Sequence, residues 1–96
     1  MKVKKEGNSV ILEGNIKTIG DFQAIKHVLD EMILDISTIN IILLDSISIT
    51  SSIIGYLTKL VHKDKVNINL SVGNKELVVL LDDLGLSDLL HVRSIG

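Results

Sequence analysis

Apolar residues recur along this chain with two different periods, and the switches between them mark out the elements. Residues 3–6 and 9–13 are short strand-like runs flanking Gly7-Asn8. Both turn residues tolerate positive φ, so a two-residue hairpin is expected there. Gly14-Asn15 then ends the second strand. Over 19–34 the period lengthens. Phe22, Ile25, Val28, Leu29, Met32, Ile33 and Ile36 fall at three- and four-residue steps, one face of a helix. Lys26, His27, Asp30 and Glu31 are expected on its wet side. Thr18, three residues before Asp21, has the form of a capping box.

The run Ile39-Asn40-Ile41-Ile42-Leu43-Leu44 is almost continuously aliphatic and predicts a central strand over 39–45, covered on both faces. A second helix is predicted over 52–62, with Ile53, Ile54, Leu57, Leu60 and Val61 on one side. Lys59, Lys63 and Lys65 suit the negative pole at its end. Residues 66–72 alternate strictly, which predicts a strand covered on one face only. Asn74 is a good N-cap for a third helix with Leu77, Val78, Leu81 and Leu84 inward. Gly85 sits where a helix closes in the left-handed region. A further turn over 87–90 and a short strand over 91–94 complete the chain.

The order is ββαβαβα with a last β. Its βαβ steps imply parallel neighbours and right-handed crossovers, and the hairpin adds an antiparallel part. The expected fold is α/β: one domain over 1–96, a mixed sheet with parallel βαβ units and three main helices. The chain has no proline, low-complexity tract or internal repeat that would mark a linker.

Composition narrows the function. The hydrophobic fraction is 46%, that of a globular chain, but only 2% is aromatic, so the core must be aliphatic. The formal net charge of -2 is built from interspersed acids and bases. No basic stripe with stacking aromatics points to nucleic acid. Lys2, Lys4 and Lys5 read as protection of an exposed strand edge. With no cysteine, disulfides, thiolate catalysis and cysteine zinc sites are excluded. No apolar run approaches the roughly 18 residues that cross a bilayer, so no membrane insertion is expected. No apolar stretch follows Lys5 as in a secretory signal, and a cytoplasmic protein is expected.

Little in the chain predicts catalysis. His27, His62 and His91 lack ligand spacing, so no metal is expected. Asp82 and Asp83 are adjacent on a helix and point apart, as in a solvated face rather than a dyad. Ser51 and Ser52 lie in no nucleophile elbow, and no phosphate-cradling glycine loop is present. No cofactor and no catalytic residue are expected. One segment remains: Thr50-Ser51-Ser52-Ile53-Ile54-Gly55-Tyr56-Leu57, which follows the aliphatic strand and opens the second helix. Hydroxyls at a helix N-terminus meet free N–H groups and a positive potential. One of them is expected to cap the helix. Another can carry a phosphate, whose charge the helix end tolerates and an apolar partner surface does not.

This segment resembles the hallmark of the STAS family, which includes the bacterial anti-sigma factor antagonists. The hallmark is a strand, then Asp-Ser-Ser-Gly opening a helix, then Leu-Gly and aliphatic residues. Here the match is Leu43-Leu44-Asp45, then Ile49 to Leu57. The run from Asn74 to Leu86 is similar to the family's third helix and its Leu-x-x-x-Gly-Leu ending, and Gly14-Asn15-Ile16 stands where the family has Gly-Glu-Ile/Leu-Asp. The resemblance covers nearly the whole chain. It implies a non-enzymatic module that binds an anti-sigma factor of the serine-kinase type and is released by phosphorylation. The phosphoacceptor implied is Ser51, with Ser52 and Thr50 as alternates. The implied partner surface is Thr50, Ser51, Ser52, Ile53, Ile54 and Tyr56. The chain departs from the hallmark where Thr50 replaces the acid and Ile53 the glycine. Asn15 and Lys17 also replace family acids, and the loop after Asp45 is about two residues short. A constitutive subunit of a larger complex, such as a lipid-transport ATPase or a signalling assembly, is the alternative implied. Small-molecule binding at the same helix end is a third reading.

Overall fold

A hairpin begins the fold: β1 (Lys2–Glu6) and β2 (Ser9–Glu13) pair antiparallel and turn at Gly7-Asn8. The computed structural model describes residues 1–95. From β2 the chain runs through α1 (Ile19–Met32), β3 (Thr38–Leu43), α2 (Ser51–His62), β4 (Asn67–Val72), α3 (Lys75–Asp83) and β5 (Arg93–Ser94). The strands lie in sequence order in one five-stranded sheet, and β2 through β5 are parallel. The α/β fold with its mixed sheet and three helices is as the hydrophobic periods predict.

Each βαβ step moves one strand in the same direction across the sheet. Crossovers of one hand then carry all three helices to one face. The register shows the result. Val10, Ile41 and Leu70 are cross-strand neighbours, as are Leu12, Leu43 and Val72, and all six are buried. They meet Ile25, Leu29 and Met32 of α1, Ile53, Leu57 and Leu60 of α2, and Leu77 and Leu81 of α3 in one aliphatic core. Each such side chain contributes about 1.5–3 kcal/mol when fully buried. The Cα radius of gyration, 12.0 Å, is that of one compact domain of this length.

The expectation that β3 is covered on both faces is corrected. Its burial alternates: Ile39, Ile41 and Leu43 are buried, while Asn40 and Ile42 are only half-buried and the following Leu44 is exposed. No described helix reaches the second face, because the topology sends every crossover to the first. Asn40 instead accepts a hydrogen bond from its β4 neighbour Asn69, 3.0 Å away, and Ile42 lies beside Ile11 of β2.

Other boundaries shift for local reasons. The first helix ends at Met32, two residues early, where the Met32 carbonyl accepts from the amides of both Asp35 and Ile36 and turns the chain toward β3. Ile33 and Ile36 still pack against the core, but Leu34 is exposed. Leu84, expected inward, is also exposed, since α3 ends at Asp83 and Gly85 closes it with φ +75°. The last strand is only Arg93–Ser94. His91 has φ +48°, which no strand residue adopts. It serves the edge of β4 instead: its Nδ1 lies 2.9 Å from the Ile68 carbonyl, and the Leu90 carbonyl accepts from the Leu70 amide.

Candidate functional site

The three helices begin alike, each on a side chain that caps it. In α1, Thr18 Oγ1 accepts from the Asp21 amide and the Asp21 carboxylate accepts from the amides of Thr18 and Lys17, the predicted capping box. The Lys17 amide above all, and the Thr18 contacts, hold the Asp21 pKa below the usual carboxylate range. In α3, Asn74 Oδ1 accepts from the Leu77 amide at 2.9 Å. In α2 the cap is Thr50, whose Oγ1 accepts from the Ile53 amide at 3.3 Å.

That assignment sorts the hydroxyls. Thr50 is half-buried and committed to the helix end. Ser51 and Ser52 occupy the first two positions of α2, are exposed, and take no part in the cap. The first turn of α2 also differs in charge. Asp21 and Glu76 place an acid in the first turns of α1 and α3, whereas Ser51-Ser52-Ile53 holds none. The positive end of the α2 dipole is therefore left to solvent. Beside it, Ser52 and Thr50 share a shallow cleft of about 150 Å³ with Lys17, Thr18, Ile19 and Phe22, the start of α1.

The loop before α2 is pinned to the loop after β2. The Gly14 amide donates to Asp45 Oδ1 at 2.6 Å, Ser46 Oγ donates to the Gly14 carbonyl at 2.6 Å, and the Ile47 amide donates to Asn15 Oδ1 at 2.9 Å. Ser46 is fully buried, and among the described residues no buried side-chain polar atom lacks a partner. Gly73 closes the same end of the sheet. Its amide donates to the Leu43 carbonyl, and a Cβ on it would press into the Leu44 carbonyl oxygen, far inside van der Waals contact. The entry to α2 is thus held by hydrogen bonds on one side and a close backbone approach on the other.

Of the six residues expected on the partner surface, two do not face solvent. Ile53 is 3% exposed and Tyr56 6%. Both lie on the inner side of α2, so the exposed part of that surface is Ser51 and Ser52, flanked by half-buried Thr50 and Ile54. Gly55, one turn on from Ser51, is exposed, and a Cβ there would meet nothing within 4 Å. The fold does not require glycine at this position, although glycine costs a helix interior about 1 kcal/mol against alanine. The result is a low surface along the first turn and a half of α2.

Tyr56 has a role that the hydrophobic pattern did not reveal. Its hydroxyl donates to Asp30 Oδ1 of α1, whose other oxygen pairs with Lys26 Nζ at 2.7 Å. Lys26 and Lys59 place their ammonium groups 5.6 and 6.0 Å from the Tyr56 ring centroid, and Phe22 meets that ring edge-on at 6.1 Å. Asp30 is therefore bonded across the helix pair while its side chain stays partly exposed on the wet side. Partial burial pushes its carboxyl up, but Lys26, the Tyr56 hydroxyl and the charge of Lys59 outweigh this and hold the pKa below the usual range. Burial first, then the Asp30 carboxylate, pushes the Tyr56 phenol well above its ordinary value. The cluster locks α2 against α1 below the exposed serines. Phe22 and Tyr56 are the chain's only aromatics; that scarcity was the available signal, but their meeting depends on the helix–helix register.

The histidines stand apart. His27 pairs with Glu31 at 3.2 Å one turn along α1, and His91 serves the β4 edge. Among the described residues no three His, Cys, Asp or Glu side chains are grouped to hold a metal, and no helix is long and apolar enough to cross a membrane. Asp82 and Asp83 are both exposed on α3, Asp82 accepting from the Ser87 hydroxyl at 3.0 Å. No family model matches the chain, and no curated protein matches it.

Proposed function

We propose that this chain is a cytoplasmic, non-enzymatic protein-binding module of the anti-sigma-antagonist type, whose docking surface is the start of α2 and whose switch is phosphorylation of Ser51. The observation that carries this reading is the division of labour at that helix end. Thr50 performs the capping, so the Ser51 hydroxyl is exposed and spare. A phosphate on Ser51 meets N–H groups and a dipole end with no acid in the first turn. It stays compatible with the fold while placing about two negative charges in the middle of the contact surface. The side-chain-free step at Gly55 supports close approach of a partner backbone. The resemblance of Thr50 to Leu57 to the STAS hallmark supplies the partner class: a serine-kinase anti-sigma factor.

The test is to incubate the purified chain and ATP with a serine-kinase anti-sigma factor. The reading expects a complex with the unmodified chain, phosphate on Ser51 by mass spectrometry, and loss of the complex once it is modified. Neither complex nor phosphate would overturn it.

One observation favours a second reading. Thr50 and Ile53, the two departures from the hallmark, are both committed to the fold, one as cap and one in the core. A constitutive subunit needs the docking surface but no phosphoacceptor. It would copurify with a stable partner regardless of Ser51→Ala, whereas the switch reading loses all phosphate in that variant.

A further inference from the structure

The outer face of α3 carries exposed aliphatic residues that neither the fold nor the α2 surface uses. Val79 is 59% exposed, Leu80 42% and Leu84 53%. Val79 lies opposite the buried Leu77 and Leu81, and Leu80 and Leu84 border them. Leu80 and Leu84 are one turn apart and adjoin each other on the helix surface. Glu76 lies one turn before Leu80, and Asp83 lies one turn after Val79, so acids are interleaved with the aliphatic side chains.

Charge says what such a face takes. Residues 74–90 contain one base, Lys75, against Glu76, Asp82, Asp83 and Asp88, a net -3 in a chain whose total is -2. An anionic bilayer or a nucleic acid is repelled by this charge. A helix with an aliphatic stripe and flanking Lys or Arg fits both features: its apolar side chains cover Val79, Leu80 and Leu84, and its cations reach the acids.

We propose that α3 is a second docking surface, separate from the start of α2, for a basic amphipathic helix of a partner protein. The probe is a leucine–lysine peptide of roughly 18 residues, five helical turns, with its leucines on one face. The control is a peptide of the same composition with the leucines scattered. Amide NMR shifts are followed during titration of the full chain. The proposal expects shifts centred on residues 76–84 with the faced peptide, and roughly tenfold weaker binding in Leu80→Gln/Leu84→Gln, as for loss of an apolar anchor. It also expects weaker binding in Glu76→Gln/Asp83→Asn and in high salt. Val79→Gln, at the most exposed of the three positions, reads the same contact should the double variant not fold. Shifts centred elsewhere, equal binding of the scattered peptide, or undiminished binding by Val79→Gln would overturn it. So would concentration-dependent self-association abolished by Val79→Gln, which would assign the face to a second copy.

Discussion

Tyr56 joins the packing of this protein to its electrostatics. Removing its hydroxyl in Tyr56→Phe leaves the ring in the core but takes a donor from Asp30. Because Asp30 keeps Lys26 and is partly exposed, the expected loss is about 1 kcal/mol, read by urea denaturation. This cluster and the α1 capping box give a pH signature. Asp21 and Asp30 titrate lower in the folded chain than the ordinary 3.8, so each contributes stability above about pH 4 that is lost as pH falls through the folded value. Tyr56 titrates higher when folded than its ordinary 10.0. Its contribution is complete below about pH 10 and is lost as pH rises beyond that, because the unfolded chain ionises first. Denaturation midpoints across pH should fall at both ends, and Tyr56→Phe should remove the alkaline part of the fall. An unchanged alkaline limb would show that Tyr56 is not held neutral. Gly73 is the other decisive residue at this scale. Its nearest neighbour is backbone, which cannot swing aside, so Gly73→Ala is expected to destabilise by about 2–3 kcal/mol. A midpoint equal to wild type would show that the end of β4 can shift away from Leu44.

At the scale of elements, capping chemistry made helix starts legible and left the ends to tertiary contacts. Thr18 and Asn74 announce their helices through side chains that are their own local partners. The ends of α1 and of the last strand depend on carbonyls and amides that meet only in the fold, Met32 with Ile36 and His91 with Ile68. For the candidate site the same distinction holds. The hydroxyl cluster is local, so Thr50-Ser51-Ser52 could be found by reading along the chain. Which hydroxyl caps, and which hydrophobic neighbours turn inward, depends on how α2 lies on the sheet. The periodicity turns Ile53 inward with Leu57 and Leu60, while the resemblance alone implies Ile53 and Tyr56 at the partner surface, and no local pattern encodes the link from Tyr56 to Asp30. The pinning of the α2 entry by Asn15, Asp45 and Ser46 joins residues 31 or 32 positions apart, which no local pattern encodes.

At the scale of the whole molecule, strand order decides what each face can do. Because strands follow one another across the sheet, all three helices share one face, and the apolar pattern of β3 over-predicted its cover. The same topology sets the starts of α1 and α2 side by side at one end of the sheet, with their cap residues around a common cleft. The proposed switch needs this end to be rigid beneath and open above. The Asp30–Tyr56 lock and the Ser46 and Asp45 bonds supply the rigid part, and exposed Ser51 supplies the open part. A negative charge at Ser51 should then leave the fold intact while ending partner binding. Ser51→Asp tests both halves on one preparation, by thermal denaturation and by titration with a serine-kinase anti-sigma factor. An acid in the first turn of α2 is expected to stabilise by about 0.3–1 kcal/mol, so the account predicts a Tm equal to or a few degrees above wild type together with loss of the complex. A lowered Tm, or kinase binding as tight as wild type, would contradict it.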